Sequence, residues 1–189
     1  MTRLKRLLDL LCASMGLVLL AVPMGLIAIM VKLTSEGPVL YWSDRVGVDN
    51  KCFRMPKFRT MRTDAPVVAT HLLQNAQAYL TPIGHFLRTS SLDELPQIYS
   101  ILKGDLSLVG PRPALFNQED LIALRTELGV QRLVPGLTGW AQINGRDELP
   151  IPVKVEFDAH YLKHRSLLLD LEILLRTPLK VLRGDGISH

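Results

Sequence analysis

Two adjacent carboxylates, Asp93 and Glu94, lie in the stretch TSSLDELPQIYSILKGDLSLVGPRP, which covers residues 89–113. The same stretch ends with Arg112 between two prolines, which restrict the backbone on both sides of it. The planar guanidinium group of arginine matches the oxygens of a phosphate group. Carboxylates near such an arginine suit the binding of a phosphorylated ligand together with a divalent metal ion.

A purely structural role for the two acids is also open. Ser91 and Glu94 have the spacing of a capping box, in which the serine oxygen and the glutamate side chain satisfy two backbone amides at a helix start. Asp93 would then only lie near the positive end of a helix dipole. The segment by itself does not decide between a helix cap and a reactive pair.

Further basic residues occur in stretches that could present them to a phosphate. Lys57 precedes Phe58 in a strand-like stretch, Arg88 directly precedes the Thr-Ser-Ser segment, and Arg146 ends the stretch INGR. Each of them alone is more often a solvated or ion-paired surface residue. Their combination with Arg112 and the acidic pair favours a site for a phosphorylated ligand.

Neighbouring residues on a helix project about 100° apart, so Asp93 and Glu94 cannot both approach one phosphorus atom. If the ligand is a nucleoside diphosphate sugar, one carboxylate can attack phosphorus and form an acyl phosphate. The other can hold Mg²⁺, which prefers oxygen ligands and substrate phosphates. The arginines and a helix N-terminus would stabilise the charge on the phosphoryl oxygens.

The elements that must position these residues follow an α+β pattern. Strands are predicted at VLYWSD and CFRMPKFRTM, and GDLSLVG predicts a short turn and strand. Helices are predicted over residues 66–78, 82–88, 92–102, 117–128 and 153–163. We expect a compact, mostly helical domain over residues 37–189 with a few short strands. The sequence has no Rossmann or P-loop glycine signature.

An apolar run without charged residues extends from Leu10 to Val31. As a helix it would be about 33 Å long, which is enough to cross a membrane, and it is too long for a cleavable signal peptide. Pro23 removes a helical hydrogen bond near the middle, and basic residues flank both ends. The residues leave two alternatives open: a kinked span, or a helix–break–helix that enters one leaflet and returns.

The C-terminal stretch HRSLLLDLEILLRTPLKVLRG carries a second apolar pattern at residues 164–184. Its leucines and basic residues suit a helix over 166–183 that lies in the membrane interface. An ordinary amphipathic helix that packs against the core has the same pattern and remains an alternative.

Composition narrows the class of protein. The 189 residues are 48% hydrophobic, which is high for a soluble protein and indicates contact with lipid. The net charge is only +4 and aromatic residues make up 6%, so the chain lacks the basic, aromatic patches of nucleic-acid-binding proteins. Cys12 and Cys52 are isolated, which favours reduced thiols on the cytosolic side of a membrane.

Four motifs in this order, after a basic, leucine-rich N-terminal segment, carry a family resemblance. They are KFRTM (57–61), LRTSSLDELPQ (87–97), GDLSLVGPRP (104–113) and PGLTGWAQINGR (135–146). The chain resembles the bacterial sugar transferases, the monotopic phosphoglycosyl transferases that begin glycoconjugate synthesis on polyprenol phosphate. The resemblance covers nearly the whole chain and is closest to the small form that consists of the catalytic core.

The resemblance implies that Asp93 is the nucleophile and Glu94 a Mg²⁺ ligand. A nucleoside diphosphate sugar, usually a UDP-sugar, would give its phosphosugar to Asp93 and release UMP, and undecaprenyl phosphate would then accept it. Substrate-phosphate or scaffold contacts are implied for four basic residues and, with less support from the motifs, for one acid. These are Lys57, Arg88, Arg112, Arg146 and Asp158.

The resemblance also implies a re-entrant membrane helix within residues 1–36, broken at Pro23, with both ends in the cytoplasm. This chain has Val22 before that proline, where the family often has a serine whose hydroxyl can satisfy freed backbone groups. The implied location is the cytoplasmic face of the bacterial inner membrane, with contacts to inner-leaflet lipids. The product would pass to downstream glycosyltransferases, for example toward O-antigen or capsule.

Two other functions are consistent with the same residues. One is a membrane-anchored binding or regulatory protein that has the fold without the chemistry, and the other is a lipid-phosphate hydrolase or another phosphotransferase that uses the same acidic pair. The identity of the sugar is open, although residues 71–79 and 147–153 lie where they could shape a sugar pocket.

Overall fold

The computed structural model describes residues 1–66, 76–145 and 149–183. It confirms an α+β architecture in which helices dominate and the strands are short. The helices are α1 (Arg3–Thr34), α2 (Gly84–Thr89), α3 (Ile98–Lys103), α4 (Glu119–Glu127), α5 (Trp140–Ile143), α6 (Ile151–His164) and α7 (Leu167–Arg183). The strands are β1 (Leu40–Val46), β2 (Cys52–Phe58), β3 (Ser107–Val109) and β4 (Gly136–Thr138).

Strands β1 and β2 form an antiparallel hairpin whose register runs from Leu40 opposite Phe58 to Val46 opposite Cys52. Asp49 and Asn50 in the connecting turn have positive φ angles of 52° and 58°, which short polar side chains tolerate better than other residues. Both predicted strands are confirmed, and β2 ends at Phe58, before the predicted end of the stretch.

Strands β3 and β4 form a separate parallel pair, with Val109 opposite Thr138. Glycines within and just beyond this pair permit a close approach of the two segments. A Cβ atom on Gly136 would lie 2.1 Å from the Gly110 nitrogen, and one on Gly139 would lie 2.1 Å from the Gly110 oxygen. The pair therefore sets the course of the Gly-Pro-Arg-Pro loop that follows β3.

Three predicted helices are confirmed within a few residues, as α2, α4 and α6. The predicted helix over 92–102 instead divides into a 3-10 turn, Leu92–Gln97, and α3. Pro96 explains the division, because proline lacks an amide hydrogen and disfavours α-helical geometry in the residue before it. Most of the predicted helix over 66–78 lies outside the described residues, and Ala76–Tyr79 forms a 3-10 turn.

One face of helix α1 contacts the rest of the protein along its length, with Ala13 and Leu20 in a cluster with residues of β2 and α3, and further contacts at both ends. At its start, Arg6 donates from Nη1 and Nη2 to the carbonyl oxygens at the end of α3, over 2.6 and 2.9 Å, and Lys5 forms a 2.7 Å ion pair with Asp170 of α7. Near its end, Ile27 and Val31 are buried in a cluster with β2 and α2. The two ends of this 32-residue helix therefore meet the same body of protein.

The middle of α1 is largely exposed, with apolar side chains such as Val18, Leu19 and Val22 each more than 70% accessible. It is long and apolar enough to cross a membrane by length and composition. The helical assignment continues through Pro23, so the predicted break does not appear as a non-helical residue. A proline removes one hydrogen bond, and the neighbouring turns can continue the helix around it. The re-entrant path and the division at residue 36 stay predictions.

Helix α7 combines the two alternatives that the sequence left open. Ile173 is fully buried and packs in a cluster with residues of β3, α5 and α6. On another face, four leucines are between 53 and 81% exposed: Leu168, Leu171, Leu175 and Leu179. One face therefore packs on the core and another presents an apolar stripe to the surroundings.

Candidate active site

A cavity of about 430 Å³ lies between the end of β2, the 3-10 turn Leu92–Gln97, the loop after β3 and α5. Five of the seven substrate-contact or catalytic residues predicted from sequence line it: Lys57, Arg88, Asp93, Glu94 and Arg112. Eight lysines and arginines and two acids contribute to its lining, so the cavity is strongly cationic. Such a cavity suits a ligand with several negative charges.

Glu94 is held by two cations that come from different parts of the chain. Lys57 Nζ donates to Glu94 Oε1 over 2.9 Å, and Arg112 Nη2 donates to the same oxygen over 2.7 Å. Burial would raise the pKa of Glu94, but Arg112 and Lys57 outweigh it and hold that pKa well below its ordinary value. Glu94 is therefore a permanent carboxylate at neutral pH.

Asp93 has a different environment although it is the next residue. Its Oδ2 lies 3.9 Å from Lys57 Nζ, and among the described residues no hydrogen bond to its side chain is seen. Burial raises the pKa of Asp93, while the nearby cations, of which Lys57 has the largest influence, oppose that change. The pKa of Asp93 is thus raised and that of Glu94 lowered, and such opposite shifts in two neighbouring acids accompany a division of chemical roles.

The capping-box explanation of this pair is wrong. Ser91 has a left-handed backbone with a φ of 57°, and its side chain makes no capping hydrogen bond. The amide of Glu94 donates to the Ser91 carbonyl oxygen instead, over 3.2 Å. A left-handed non-glycine residue is unusual and occurs often at functional sites. Here it sets the direction of the turn that carries both acids.

The loop that presents Arg112 is fixed by hydrogen bonds to its backbone. The carbonyl oxygen of Pro111 accepts from Gly136 N over 2.9 Å, and that of Pro113 accepts from Arg45 Nη1 over 3.2 Å. The carbonyl oxygen of Arg112 itself accepts from Arg125 Nη1 over 2.8 Å. A rigid backbone lowers the entropic cost of holding the guanidinium group in place.

Asp158 lies behind the cavity lining, in a buried ion pair with Arg125. Arg125 donates from Nε and Nη2 to Asp158 Oδ2 over 2.9 and 2.5 Å. Burial raises the pKa of Asp158, and Arg125 opposes that change. Asp158 was predicted to contact the substrate. In the structure it binds Arg125 instead, and Arg125 in turn donates to the backbone of Arg112.

Some predicted residues fall outside the described part of the chain. Arg146 is one of them, and so are residues 71–75 and 147–148 of the two stretches that could shape a sugar pocket.

Sequence reasoning did not assign a role to several polar residues that line the cavity. Arg45, Gln118, Arg125, Gln142 and Lys154 come from β1, the segment before α4, and α4 to α6. Of these five residues, Gln142 lies inside one of the four family motifs, PGLTGWAQINGR, and the sequence around the others does not indicate a role at the site. The others become visible only when the fold brings distant segments together.

Glu94 has the chemistry of a ligand for a magnesium ion that retains most of its waters. No group of three or more metal-ligating side chains occurs in residues 1–66, 76–145 and 149–183. Mg²⁺ does not require such a group, because it commonly binds one or two carboxylates together with waters and substrate phosphates. Glu94 supplies a carboxylate oxygen of that kind beside a cavity suited to phosphates.

Comparison with known proteins defines the class. The bacterial sugar transferase family matches residues 1–184, and the chain belongs to this family.

The similarity extends to individual proteins. An uncharacterized sugar transferase of Bacillus subtilis, EpsL, is 44% identical over 98% of this chain and 91% of its own length. The UDP-glucose:undecaprenyl-phosphate glucose-1-phosphate transferase of Escherichia coli is 38% identical over 94% of this chain. A UDP-N-acetylgalactosamine-undecaprenyl-phosphate N-acetylgalactosaminephosphotransferase of Aeromonas hydrophila is 35% identical over 96%. The chain spans only 40 and 44% of the lengths of these last two relatives.

Proposed function

We propose that this protein transfers a phosphosugar from a nucleoside diphosphate sugar, most simply a UDP-sugar, to undecaprenyl phosphate. The observation that carries the proposal is the acidic pair in one cationic cavity, with Glu94 bound by Lys57 and Arg112 and Asp93 left without a hydrogen bond among the described residues. The names of the relatives from Escherichia coli and Aeromonas hydrophila, which include UDP-sugar donors and undecaprenyl phosphate, support it.

In the first half-reaction, an Asp93 carboxylate oxygen attacks the phosphorus atom that bears the sugar. The bond from this phosphorus to the oxygen that bridges the two phosphates breaks, and UMP leaves with the bridging oxygen. The phosphosugar is then an acyl phosphate on Asp93. A carboxylate without a hydrogen bond among the described residues keeps its lone pairs available for this attack.

In the second half-reaction, an oxygen of undecaprenyl phosphate attacks the same phosphorus atom and Asp93 leaves as a carboxylate. The product is a polyprenyl diphosphate sugar. Lys57, Arg88 and Arg112 would stabilise charge on the phosphoryl oxygens in both steps. Glu94 would hold Mg²⁺, which when bound reduces the repulsion between the anionic nucleophile and the anionic diphosphate.

The proposal includes a location on the cytoplasmic face of the bacterial inner membrane, with α1 re-entrant. Support comes from Lys5 and Arg6 at one end of α1 and Val31 at the other, all of which contact the same body of protein. A helix that crossed the bilayer would place its two ends about 30 Å apart on opposite sides. Exposed leucines of α7 would lie in the same membrane surface.

Intact-protein mass spectrometry tests the function directly. Detergent-purified protein is incubated with Mg²⁺ and one of three donors, UDP-glucose, UDP-galactose or UDP-N-acetylgalactosamine, without lipid acceptor. We expect an added mass of one phosphosugar on the wild type with the correct donor, and none on Asp93→Asn. An Asp93→Asn variant that turns over both substrates at the wild-type rate would refute the mechanism.

The same assay separates the two alternative functions. A lipid-phosphate hydrolase would release inorganic phosphate from undecaprenyl phosphate in water, whereas the proposed transferase releases more than one equivalent of UMP only when undecaprenyl phosphate is present. A binding protein would release none with any donor.

A further inference from the structure

Arg59 is a buried cation in the wall of the cationic cavity. It directly follows β2 and is only 4% exposed. Its Nε donates to the carbonyl oxygen of Pro38 over 2.6 Å, and its Nη2 donates to that of Ser35 over 3.0 Å. Both acceptors are neutral, and among the residues that the structure describes no carboxylate forms an ion pair with Arg59.

A buried positive charge without an anion is unfavourable in the protein alone. Arginine is almost never buried unless it is paired, because its charge loses the water that stabilises it. Carbonyl oxygens near the end of a helix offset only part of this cost through the helix dipole. A glutamine amide could donate to the same oxygens without burying a charge, so the two hydrogen bonds alone do not account for an arginine here. An anionic ligand in the cavity would account for it.

Part of the guanidinium group is open to such a ligand. The group has five N–H donors, and the two carbonyl oxygens use one on Nε and one on Nη2. Nη1 makes no hydrogen bond within the described part of the chain, and it is not one of the side-chain atoms there that are enclosed without a partner. Its two donors are therefore accessible from the cavity that Arg59 lines, and a guanidinium group matches the oxygens of a phosphate.

The course of β2 places Arg59 beside the acidic pair. The pairing of the hairpin continues to Arg59, whose amide donates to the carbonyl oxygen of Val39 over 2.9 Å. Residues two apart in an extended strand point to the same face and lie about 6.6 Å apart, so Arg59 shares the face of Lys57. Lys57 Nζ lies 3.9 Å from Asp93 Oδ2. Arg59 is thus the next cation along this face from the proposed nucleophile.

The partners of Arg59 indicate which substrate brings the phosphate. Ser35 and Pro38 belong to the segment that leaves α1, so Arg59 lies on the side of the cavity that is nearest to this helix. A nucleotide sugar is water-soluble and reaches the cavity from the cytosol. The phosphate of undecaprenyl phosphate stays at the lipid surface, in which α1 is proposed to lie, because its hydrocarbon chain remains in the bilayer.

We infer that Arg59 binds the phosphate group of the lipid acceptor and holds it beside the acyl phosphate on Asp93. The inference rests on the proposed function, because it takes the acceptor to be a polyprenyl phosphate. In the second half-reaction an anionic phosphate must approach an anionic acyl phosphate, and the charge of Arg59 reduces their repulsion.

The variants Arg59→Gln and Arg59→Lys separate the charge of Arg59 from its hydrogen bonds. Glutamine keeps an amide that can donate to the two carbonyl oxygens, and lysine keeps a charge. In a ping-pong reaction, kcat/KM for each substrate depends only on the half-reaction that the substrate enters. We expect Arg59→Gln to lower kcat/KM for undecaprenyl phosphate about ten- to a hundredfold, because a charge-assisted hydrogen bond is lost. Arg59→Lys should lower it less, about fivefold, and kcat/KM for the UDP-sugar should stay within about twofold in both variants.

Intact-protein mass spectrometry measures the two half-reactions separately. The phosphosugar adduct on Asp93 forms from the UDP-sugar without acceptor, and it disappears after undecaprenyl phosphate is added in detergent. Arg59→Gln should form the adduct at the wild-type rate. At an acceptor concentration below saturation, it should lose the adduct about ten- to a hundredfold more slowly.

The matched control is Arg54→Gln. Arg54 also lies on β2, but it is exposed, lies over the ring of Trp42 at 5.5 Å, and does not line the cavity. We expect both of its half-reactions to stay within about twofold of wild type. Thermal unfolding shows which variants are folded, and Arg59→Lys decides the test if Arg59→Gln is not.

Three results with a folded Arg59 variant would overturn the inference. Equal slowing of both half-reactions would indicate a structural role only, slowing of the first alone would assign Arg59 to a phosphate of the donor, and no slowing would show that Arg59 binds neither. Wild-type protein that forms no adduct with any donor would instead count against the proposed function, so the two failures can be told apart.

Discussion

The buried pair of Asp158 and Arg125 allows stability and activity to be separated by mutation. The Asp158 side chain is 1% exposed and that of Arg125 is 10% exposed, so neither charge is solvated. In Asp158→Asn the Arg125 guanidinium group loses its counter-ion and stays buried. Breaking one partner of a buried ion pair costs about 3–5 kcal/mol of unfolding free energy.

For a protein of this length, each kcal/mol corresponds to about 2–4 °C in the midpoint of thermal unfolding, so we expect Tm to fall by about 6–20 °C. Circular dichroism of the detergent-solubilised protein measures this shift. The double variant Arg125→Met with Asp158→Leu replaces both charges with apolar side chains. Because a buried pair can be replaced in this way at little cost, most of the lost stability should return.

Activity should not return with stability in the double variant. Arg125 also donates to the carbonyl oxygen of Arg112, and methionine cannot make that hydrogen bond. Arg112 in turn binds Glu94 over 2.7 Å, so a displaced loop alters the environment of the acidic pair. UMP release should therefore stay below wild type at a temperature where both proteins are folded. An unchanged Tm in Asp158→Asn, or full activity in the double variant, would refute this reasoning.

Three further predictions concern the metal, the backbone and the membrane face. Removal of Mg²⁺ by EDTA should abolish UMP release. In a Mg²⁺ titration, Glu94→Gln should reach half its maximal rate only at a Mg²⁺ concentration at least about tenfold higher than the wild type needs, and an equal requirement would contradict the metal role. Gly84→Ala should lower the unfolding free energy, measured by chemical denaturation, by about 1–3 kcal/mol, because the new Cβ would lie 2.1 Å from a backbone oxygen. Gly25→Ala should not lower it in the same measurement, because a Cβ there would have nothing within 4 Å. Leu171→Glu should weaken binding to anionic lipid vesicles with little change in Tm. Ile173 is fully buried on another face of α7, so Ile173→Ala should lower the unfolding free energy by about 2–5 kcal/mol. The reverse pattern would contradict the assignment of one apolar exposed face and one packed face to α7.

The elements that could be predicted from the sequence are those whose signals are local. The hairpin was predictable because strand-forming residues flank an Asp49-Asn50 turn, and α4 and α6 because their periodic patterns extend over several turns. The division of the predicted helix over 92–102 also has a local cause, Pro96, which sequence reasoning did not weigh. Helix α1 was predictable as an apolar helix, but its contacts near both ends depend on residues far along the chain.

The site was only partly predictable for the same reason. Asp93 and Glu94 stood out by type, but their environments depend on Lys57 and Arg112, 37 and 18 residues from Glu94 in sequence. The capping box was a plausible local solution that the left-handed backbone of Ser91 excludes. The partner of Asp158 lies 33 residues away in α4 and carries no sequence signal of its own.

The connection between α1 and the cavity gives this helix a part in the proposed reaction. Arg59 lines the cavity and donates to the carbonyl oxygens of Pro38 and Ser35, over 2.6 and 3.0 Å, in the segment that leaves α1. Val31, one turn before the end of α1, is fully buried against β2 and α2, which carry Lys57 and Arg88. The end of α1 therefore packs together with β2, α2 and Arg59, which contribute to the lining of the cavity.

A packed connection matters because of the nature of the proposed acceptor. The phosphate of undecaprenyl phosphate stays at the bilayer surface, since its hydrocarbon chain cannot leave the lipid without a large free-energy cost. The proposed acyl phosphate on Asp93 would have to be presented at that height, and a flexible tether would place it there only part of the time. When α1 sits in lipid at a depth fixed by its apolar residues, its packing against β2 and α2 fixes the height of Asp93 as well.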